Sequence, residues 1–175
     1  MTSDICPPWG KSSAWLEANQ TMAHLIRIHG PKLGSVTALA LEIREQLESV
    51  FPLLDDLCMA TCPWCPDSCC LRAAVWMDFR DLLFLHLIGQ EIPQTQLMGD
   101  LKQTCRYLGS KGCSLPRISR SWTCIRYLCP TQMAGLRKKS CSVQEAFDQS
   151  VQIIRKGRKE MEKVFIRVIY GDFQQ

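Results

Sequence analysis

Nine cysteines crowd the stretch between residues 58 and 129 of this chain. They fall into two groups, Cys58-x3-Cys62-x2-Cys65-x3-Cys69-Cys70 and Cys105-x7-Cys113-x10-Cys124-x4-Cys129. Gaps of two to four residues let a tight turn aim two sulfurs at one point. Four-thiolate zinc sites and iron–sulfur sites are built that way. Cysteines serving only as small buried hydrophobes would follow a helical stripe. That reading suits Cys6 and Cys141, which stand outside the groups, better than nine clustered thiols.

Every candidate ligand is sulfur. His24, His29 and His86 lie outside both groups. Pure thiolate sites suit zinc and iron–sulfur clusters alike. Two details favour an iron–sulfur cluster of the 4Fe-4S type. Cys58, Cys62 and Cys65 are three short-spaced thiolates with an aromatic residue among them. Cluster loops of radical enzymes that use S-adenosylmethionine share this spacing, although the chain lacks the repeating strand–helix pattern of that fold. Trp64 and Trp122 also sit beside cysteines, where they would either shield a cluster from water or pack into the core. Adjacent Cys69 and Cys70 cannot easily serve one small tetrahedral ion together, so one is expected to bind while the other packs or supports.

Eleven cysteines in 175 residues is an odd number, so one chain cannot pair them all. The opening residues, MTSDICPPWGK, show no basic region followed by an apolar run, so no export signal is expected. No stretch reaches the roughly 18 apolar residues of a membrane span. The expected compartment is a reducing cytoplasm, where clustered cysteines mean metal or redox chemistry rather than disulfides.

The elements that must position these thiols read as helices. Hydrophobic residues make up 46% and charged residues 22%, which suits one globular domain over residues 1–175. Residues 1–13, with Pro7, Pro8 and Gly10, read as an irregular lead-in. Residues 14–29 carry Trp15, Met22, Leu25 and Ile26 at helical spacing, and Gly30-Pro31 ends the helix. Residues 33–54 carry a stripe of Val36, Leu39, Ala40, Ile43, Leu47, Val50, Phe51 and Leu54. The two are expected to form a helical hairpin over 14–54.

Residues 55–70 hold two prolines and five cysteines and read as irregular. Leu71 to Gln90 reads as a buried helix. Pro93 opens a short one with Leu97, Leu101 and Leu108 inward, and residues 109–130 are irregular again. A last amphipathic helix spans 142–170, opening on a Ser142–Glu145 capping box, with Gly157 as an interior weak point. Strand-like alternation is nearly absent. The expected fold is mainly α, a helical bundle in which two loops of a 58–130 core converge on a metal site.

The cysteine pattern, with Asp81-Leu82-Leu83, Cys105-Arg106-Tyr107-Leu108-Gly109, Gly112-Cys113-Ser114-Leu115-Pro116 and Cys124-Ile125-Arg126-Tyr127-Leu128-Cys129, resembles the bacterial CxxxCxxCC family. Its members are described as zinc- or iron-chelating domains, and the flagellin lysine methylase looks like a larger relative. The resemblance implies a ligand set of Cys62, Cys65, Cys69, Cys70, Cys105, Cys113, Cys124 and Cys129, with Cys58 an extra candidate. This chain departs from the family pattern in having Arg120-Ser121 where Arg-Pro is usual, and in having more residues before its double cysteine.

Other chemistry is weaker. His86 could pair with a cysteine nucleophile, but a histidine on an apolar helix is more often core. Asp55 and Asp56 read as solvated loop acids. Arg106, Arg117, Arg120 and Arg126 could offset thiolate charge or bind an anion. The last helix carries Arg155, Lys156, Arg158, Lys159, Lys163 and Arg167, after Arg137, Lys138 and Lys139. With a net charge of +4, that face fits an acidic protein partner. It lacks the interleaved aromatics of a nucleic-acid surface. Three functions compete: an iron–sulfur protein in electron transfer, sensing or modification, a structural zinc module that presents helices to a partner, and a metal-dependent methyl transferase-like enzyme.

Overall fold

The apolar stripe that begins at Val36 sets the architecture. Val36, Ala40, Ile43, Leu47, Val50, Leu54 and Leu57 are all buried on one helix, α2 (Gly34–Thr61). The computed structural model describes residues 11–66, 68–72, 74–99, 103–110 and 112–172. Cys6, Pro7, Pro8, Gly10 and Leu101, which carried expectations above, lie outside them. Helix covers 72% of the described residues, so the class is mainly α.

The chief partner of α2 is the last and longest helix, α7 (Cys141–Asp172). Phe147, Ile154, Met161, Phe165 and Ile169 bury its facing side. Gly157, expected as a weak point, faces Ile43 of α2. A Cβ there would meet Ile43 Cγ1 at 3.0 Å. Helix α1 (Ser12–His29) buries Trp15 and Met22. Its larger contacts are with α4 (Phe79–Leu87) and α7 rather than with α2, the partner the hairpin expectation gave it.

The remaining elements are α3 (Cys69–Arg72), α5 (Trp122–Arg126), α6 (Pro130–Arg137) and a two-stranded antiparallel ribbon, β1 (Leu108–Gly109) with β2 (Gly112–Cys113). Among the described residues, no helix is long and apolar enough to cross a membrane.

Four local expectations need correction. First, α2 does not stop near residue 54 but runs through Asp55, Asp56 and Cys58 to Thr61. Pro52 lacks an N–H and costs the ladder a bond, yet buried Val50, Leu54 and Leu57 carry the helix past it. It yields to a 3-10 turn at Cys62–Trp64, where Pro63 again has no N–H to give.

Second, Leu71 to Gln90 is not one helix. Residues 74–78 are non-helical, and α4 starts only at Phe79. The Asp78 carboxylate accepts from Asp81 N at 2.8 Å, and the Asp81 carboxylate accepts from Asp78 N at 3.1 Å. That reciprocal capping fixes the helix start. Gly89, at φ 64, ends the helix in the left-handed region.

Third, the described residues 94–99 and 103–108 after Pro93 form no helix. Side chains hold this segment open instead. Fully buried Gln96 accepts from Met77 N at 2.8 Å and donates to Met77 O at 3.1 Å. Tyr107 Oη donates to Thr95 O at 3.0 Å, and Trp15 Nε1 donates to Pro93 O at 2.9 Å. Residues 109–130 are likewise not simply irregular, since they contain β2, a 3-10 turn at Arg117–Ser119, and α5.

Fourth, the Ser142 hydroxyl lies against Ser140 Oγ at 3.0 Å, and α7 opens one residue early at Cys141.

Candidate metal centre

Two helix ends bring the first thiols together. Cys58 lies in the last turn of α2, and Cys62 follows its end, four residues on and so on the same face. Cys129 is the N-cap of α6, with Pro130 in the first position. Its sulfur accepts from Gln132 N at 3.5 Å, while Gln132 Oε1 accepts from Cys129 N at 3.2 Å. The other end of the Gln132 amide donates to Cys58 Sγ at 3.3 Å and Cys62 Sγ at 3.5 Å. One buried residue thus touches three thiols from segments about 70 residues apart, Cys58 and Cys62 through its side chain and Cys129 through its backbone N–H.

Arg117 adds charge beside them. Its guanidinium pairs with Asp55 and reaches the Cys58 thiol. Asp55 is therefore an exposed helical acid holding an arginine, not a loop acid. Cys65 N donates to Cys62 O at 3.2 Å across the 3-10 turn, which leaves Cys65 exposed.

The second set is assembled by backbone. Cys105 N donates to Cys70 O at 3.4 Å. The ribbon places Cys113 opposite Leu108. Arg120 steadies that strand, with Nε donating to Leu115 O at 3.1 Å and a terminal nitrogen to Cys113 O at 3.5 Å. Cys124 rides on α5, whose first N–H, from Trp122, donates to Asp81 Oδ1 at 3.0 Å. Ser121 Oγ accepts from Thr123 N at 3.3 Å and completes the cap.

The thiols influence one another's protonation. Burial, then the neighbouring Cys105 and Cys113, pushes Cys124 up to about 12. Burial raises Cys105 and Cys62 as well. Cys69 is lowered to about 6 by the hydrogen bond it shares with Cys70, which is raised in turn. Loading a metal would displace the protons of the raised thiols, which makes affinity steeply pH-dependent.

All nine candidate ligands, Cys58, Cys62, Cys65, Cys69, Cys70, Cys105, Cys113, Cys124 and Cys129, are free thiols, as is Cys141 at the start of α7. Among the described residues, no three His, Cys, Asp or Glu side chains are set closely enough to hold one ion as they stand. The donor chemistry nonetheless suits a thiophilic metal, since both sets offer sulfur alone. His24 contacts Arg27 at 3.0 Å on α1, and His86 sits half-buried on α4.

Neither tryptophan behaves as a cluster shield. Trp64 is 83% exposed. Trp122 packs against the core, 6.0 Å beneath the Arg158 guanidinium. Arg158 is itself a surprise. It was expected on the basic outer face of α7, but it is buried and pairs with Asp78 and Asp81 at 2.9 Å each. A groove of about 250 Å3 beside Tyr107 and Leu115 has no cysteine in its lining.

The sequence reasoning missed Gln132 and the Asp81–Arg158 pair. The first had a signal. Cys129-Pro130-x-Gln132 has the spacing of a capping box, with a thiol in place of the usual hydroxyl. Arg158 had none, because nothing in a helical pattern separates a buried arginine from a solvated one.

No protein-family model, curated protein or solved structure matches this chain.

Proposed function

We propose that this chain is a thiolate metal-binding protein whose cysteines hold an iron–sulfur cluster of the 4Fe-4S type, in electron transfer, sensing or modification chemistry. The observation that carries the reading is the convergence of Cys58, Cys62 and Cys129 on buried Gln132, the first two at its side-chain NH2 and the third at its backbone N–H. Neutral thiols accept such N–H bonds only weakly, whereas deprotonated, metal-bound thiolates accept them strongly. The likeness of residues 58–129 to the CxxxCxxCC family points the same way.

When bound, the cluster would supply a one-electron centre. This chain's own contribution would be to tune it. N–H donation from Gln132 to Cys58 and Cys62 favours the more negative, reduced state and raises the potential. Arg117 beside Cys58 acts in the same sense. The free thiols suit a reducing cytoplasm. Lys156, Lys159, Lys163 and Arg167 line the exposed side of α7 and suit an acidic protein partner.

Structural zinc is the second reading. The short elements between residues 62 and 129 are joined largely by single polar side chains, the situation in which a zinc ion commonly supplies folding energy. Metal and acid-labile sulfide analysis of anaerobically purified protein, with a visible spectrum, separates the two. Iron with sulfide in a brown protein supports the cluster. Stoichiometric zinc in colourless protein replaces it. Protein that carries neither and takes up neither overturns both.

A further inference from the structure

We propose that Cys62 and Cys65 form a reversible dithiol–disulfide couple that exchanges with a small-molecule disulfide. Metal ligation and this couple are alternative uses of the same two sulfurs. The couple needs no metal, so it stands apart from the metal-binding reading above.

The backbone sets the geometry. The 3-10 turn Cys62–Trp64 closes on Cys65, whose N–H donates to Cys62 O at 3.2 Å. A turn closed in this way holds its first and fourth Cα atoms within about 7 Å. A disulfide spans about 4.4–6.8 Å between Cα atoms. Side chains three residues apart eclipse in a 3-10 turn, so the two sulfurs leave it on one side. Pro63 fixes its own φ between them and stiffens the turn.

Access singles this pair out. Cys62 and Cys65 are both exposed, as are Pro63 and Trp64 between them. Cys70 and Cys105 are also joined by a backbone bond, but both are half-buried. Cys58 lies one helical turn before Cys62 and is half-buried as well. Cys69 and Cys70 are neighbours, so their Cα atoms lie about 3.8 Å apart, too close for an unstrained disulfide.

The two thiols are held differently, which assigns their roles. Gln132 Nε2 donates to Cys62 Sγ at 3.5 Å, and the Thr61 hydroxyl lies 3.8 Å from the same sulfur. The anchored Cys62 suits the resolving step, and Cys65 suits the first attack. In that attack the Cys65 thiol gives its proton to water, and its sulfur bonds to one sulfur of the incoming disulfide. The old S–S bond breaks, and the released thiolate takes up a proton. Cys62 then loses its proton and attacks Cys65 Sγ, expelling the second thiolate, which is protonated in turn. Two protein thiols are oxidised, one small disulfide is reduced to two thiols, and no net proton is consumed. On re-reduction Cys62 is the leaving sulfur, and the Gln132 N–H donates to the thiolate that emerges.

The test is anaerobic equilibration of the full-length chain, as isolated, in mixtures of reduced and oxidised glutathione. Free thiols are then alkylated, and protein mass, fragment masses and metal content are measured together. The unsubstituted chain should lose two free thiols, joined within the 62–65 fragment, and regain both in reduced glutathione. C58S should behave in the same way. C65S should form no such link. C62S should stop after the first step and hold one glutathione on Cys65. Should a variant fail to fold, the fragment masses of the unsubstituted chain still locate the link.

A link from Cys62 to Cys58, links confined to other cysteines, or thiols that stay free in every mixture each overturn the couple. In the last case retained metal leaves the metal-binding reading intact. Metal that departs as the 62–65 link forms supports the couple. A chain that forms the link without ever holding metal upholds the couple while the metal-binding reading falls.

Discussion

The α2–α7 pair and the stretch from Cys62 to Cys129 share one apolar core but are fixed in place differently. The helix pair is a continuous apolar seam, with Ala40, Ile43, Leu47, Ile154 and Met161 all buried. The cysteine stretch adds Met77, Leu82, Leu83, Phe84, Leu85, Leu97, Met98 and Ile125 to the same core. Its non-helical segments are also tied by single polar groups. Gln96 holds Met77, Tyr107 holds Thr95, Asp81 holds Trp122, and the Gln132 side chain reaches Cys58 and Cys62. Each such tie is specific, and its loss leaves buried polar atoms without partners. The helix pair is therefore held by burial spread along its length, whereas the cysteine stretch adds to burial a few polar side chains and, in the proposed function, metal.

Arg158 is the most deeply buried of the ion-pairing side chains that join the two regions, beside Arg80–Glu162 and Arg117–Asp55, so removing it should give the largest effect. It projects from α7 onto Asp78 and Asp81, and Asp81 in turn holds the first N–H of α5. Arg158→Ala leaves the Asp81 carboxylate buried and uncompensated. Breaking a buried pair in this way costs about 3–5 kcal/mol. Urea unfolding should show that loss, while Lys156→Ala on the exposed side of α7 changes stability by about 0.5 kcal/mol or less. Burial already raises the Asp81 pKa. The cost of Arg158→Ala should therefore shrink as pH falls and the stranded carboxyl takes up a proton. A loss equal to that of Lys156→Ala would show that the two regions are joined elsewhere.

The same contrast explains what could be read in advance. The long helices were legible because burial of α2 and α7 imposes a 3.6-residue period that survives translation into sequence. Trp15, Met22, Ile43 and Leu47 all fall where that period put them. The segment after Pro93 was misread because Leu97 and Leu101 mimic a helical spacing, while the deciding interaction, Gln96 with Met77, spans 19 residues. The run of α2 past Leu54 to Thr61 was misread because the prolines and cysteines of 55–70 were weighed together, whereas buried Leu57 carries the helix on. Spacing also gave no hint of the contact of Gln132 with Cys58 and Cys62, which spans 70 residues or more.

Gly157 and Gly171 sharpen the contrast from inside a single helix, with a smaller expected effect. Both lie in α7, where alanine is worth up to about 1 kcal/mol over glycine. At Gly157 the new Cβ would press on Ile43 Cγ1 at 3.0 Å, within the seam. At Gly171 nothing lies within 4 Å. Overpacking a well-packed interface costs typically about 1–3 kcal/mol. Gly157→Ala should therefore be destabilising by about 1 kcal/mol, while Gly171→Ala is neutral or slightly stabilising near the helix end. Thermal or urea melts of the two variants give the comparison directly. A stabilising Gly157→Ala would mean that the seam yields, and that its dense packing is not what holds the pair together.

His86 gives the smallest effect and tests which of the two regimes it obeys. It lies on α4 among Leu82, Leu83, Phe84 and Leu85, and its Nε2 is buried with no hydrogen-bond partner. Burial lowers its pKa below 6.5. The folded protein then holds the ring neutral at a pH where the unfolded chain has begun to protonate it. Stability contributed by the neutral ring is present above about pH 6.5 and is lost as pH falls through the unfolded value toward the folded one. His86→Leu removes that titration and leaves the rest of the chain unchanged. The difference between the two unfolding free energies should stay flat above neutrality and shift in favour of the variant as the solution is acidified below about pH 6.5. Metal content should be unchanged, since no thiol set needs the ring. Parallel pH profiles with loss of metal from the variant would instead place His86 in the cysteine region's chemistry, and the boundary between scaffold and site would have to be redrawn through α4.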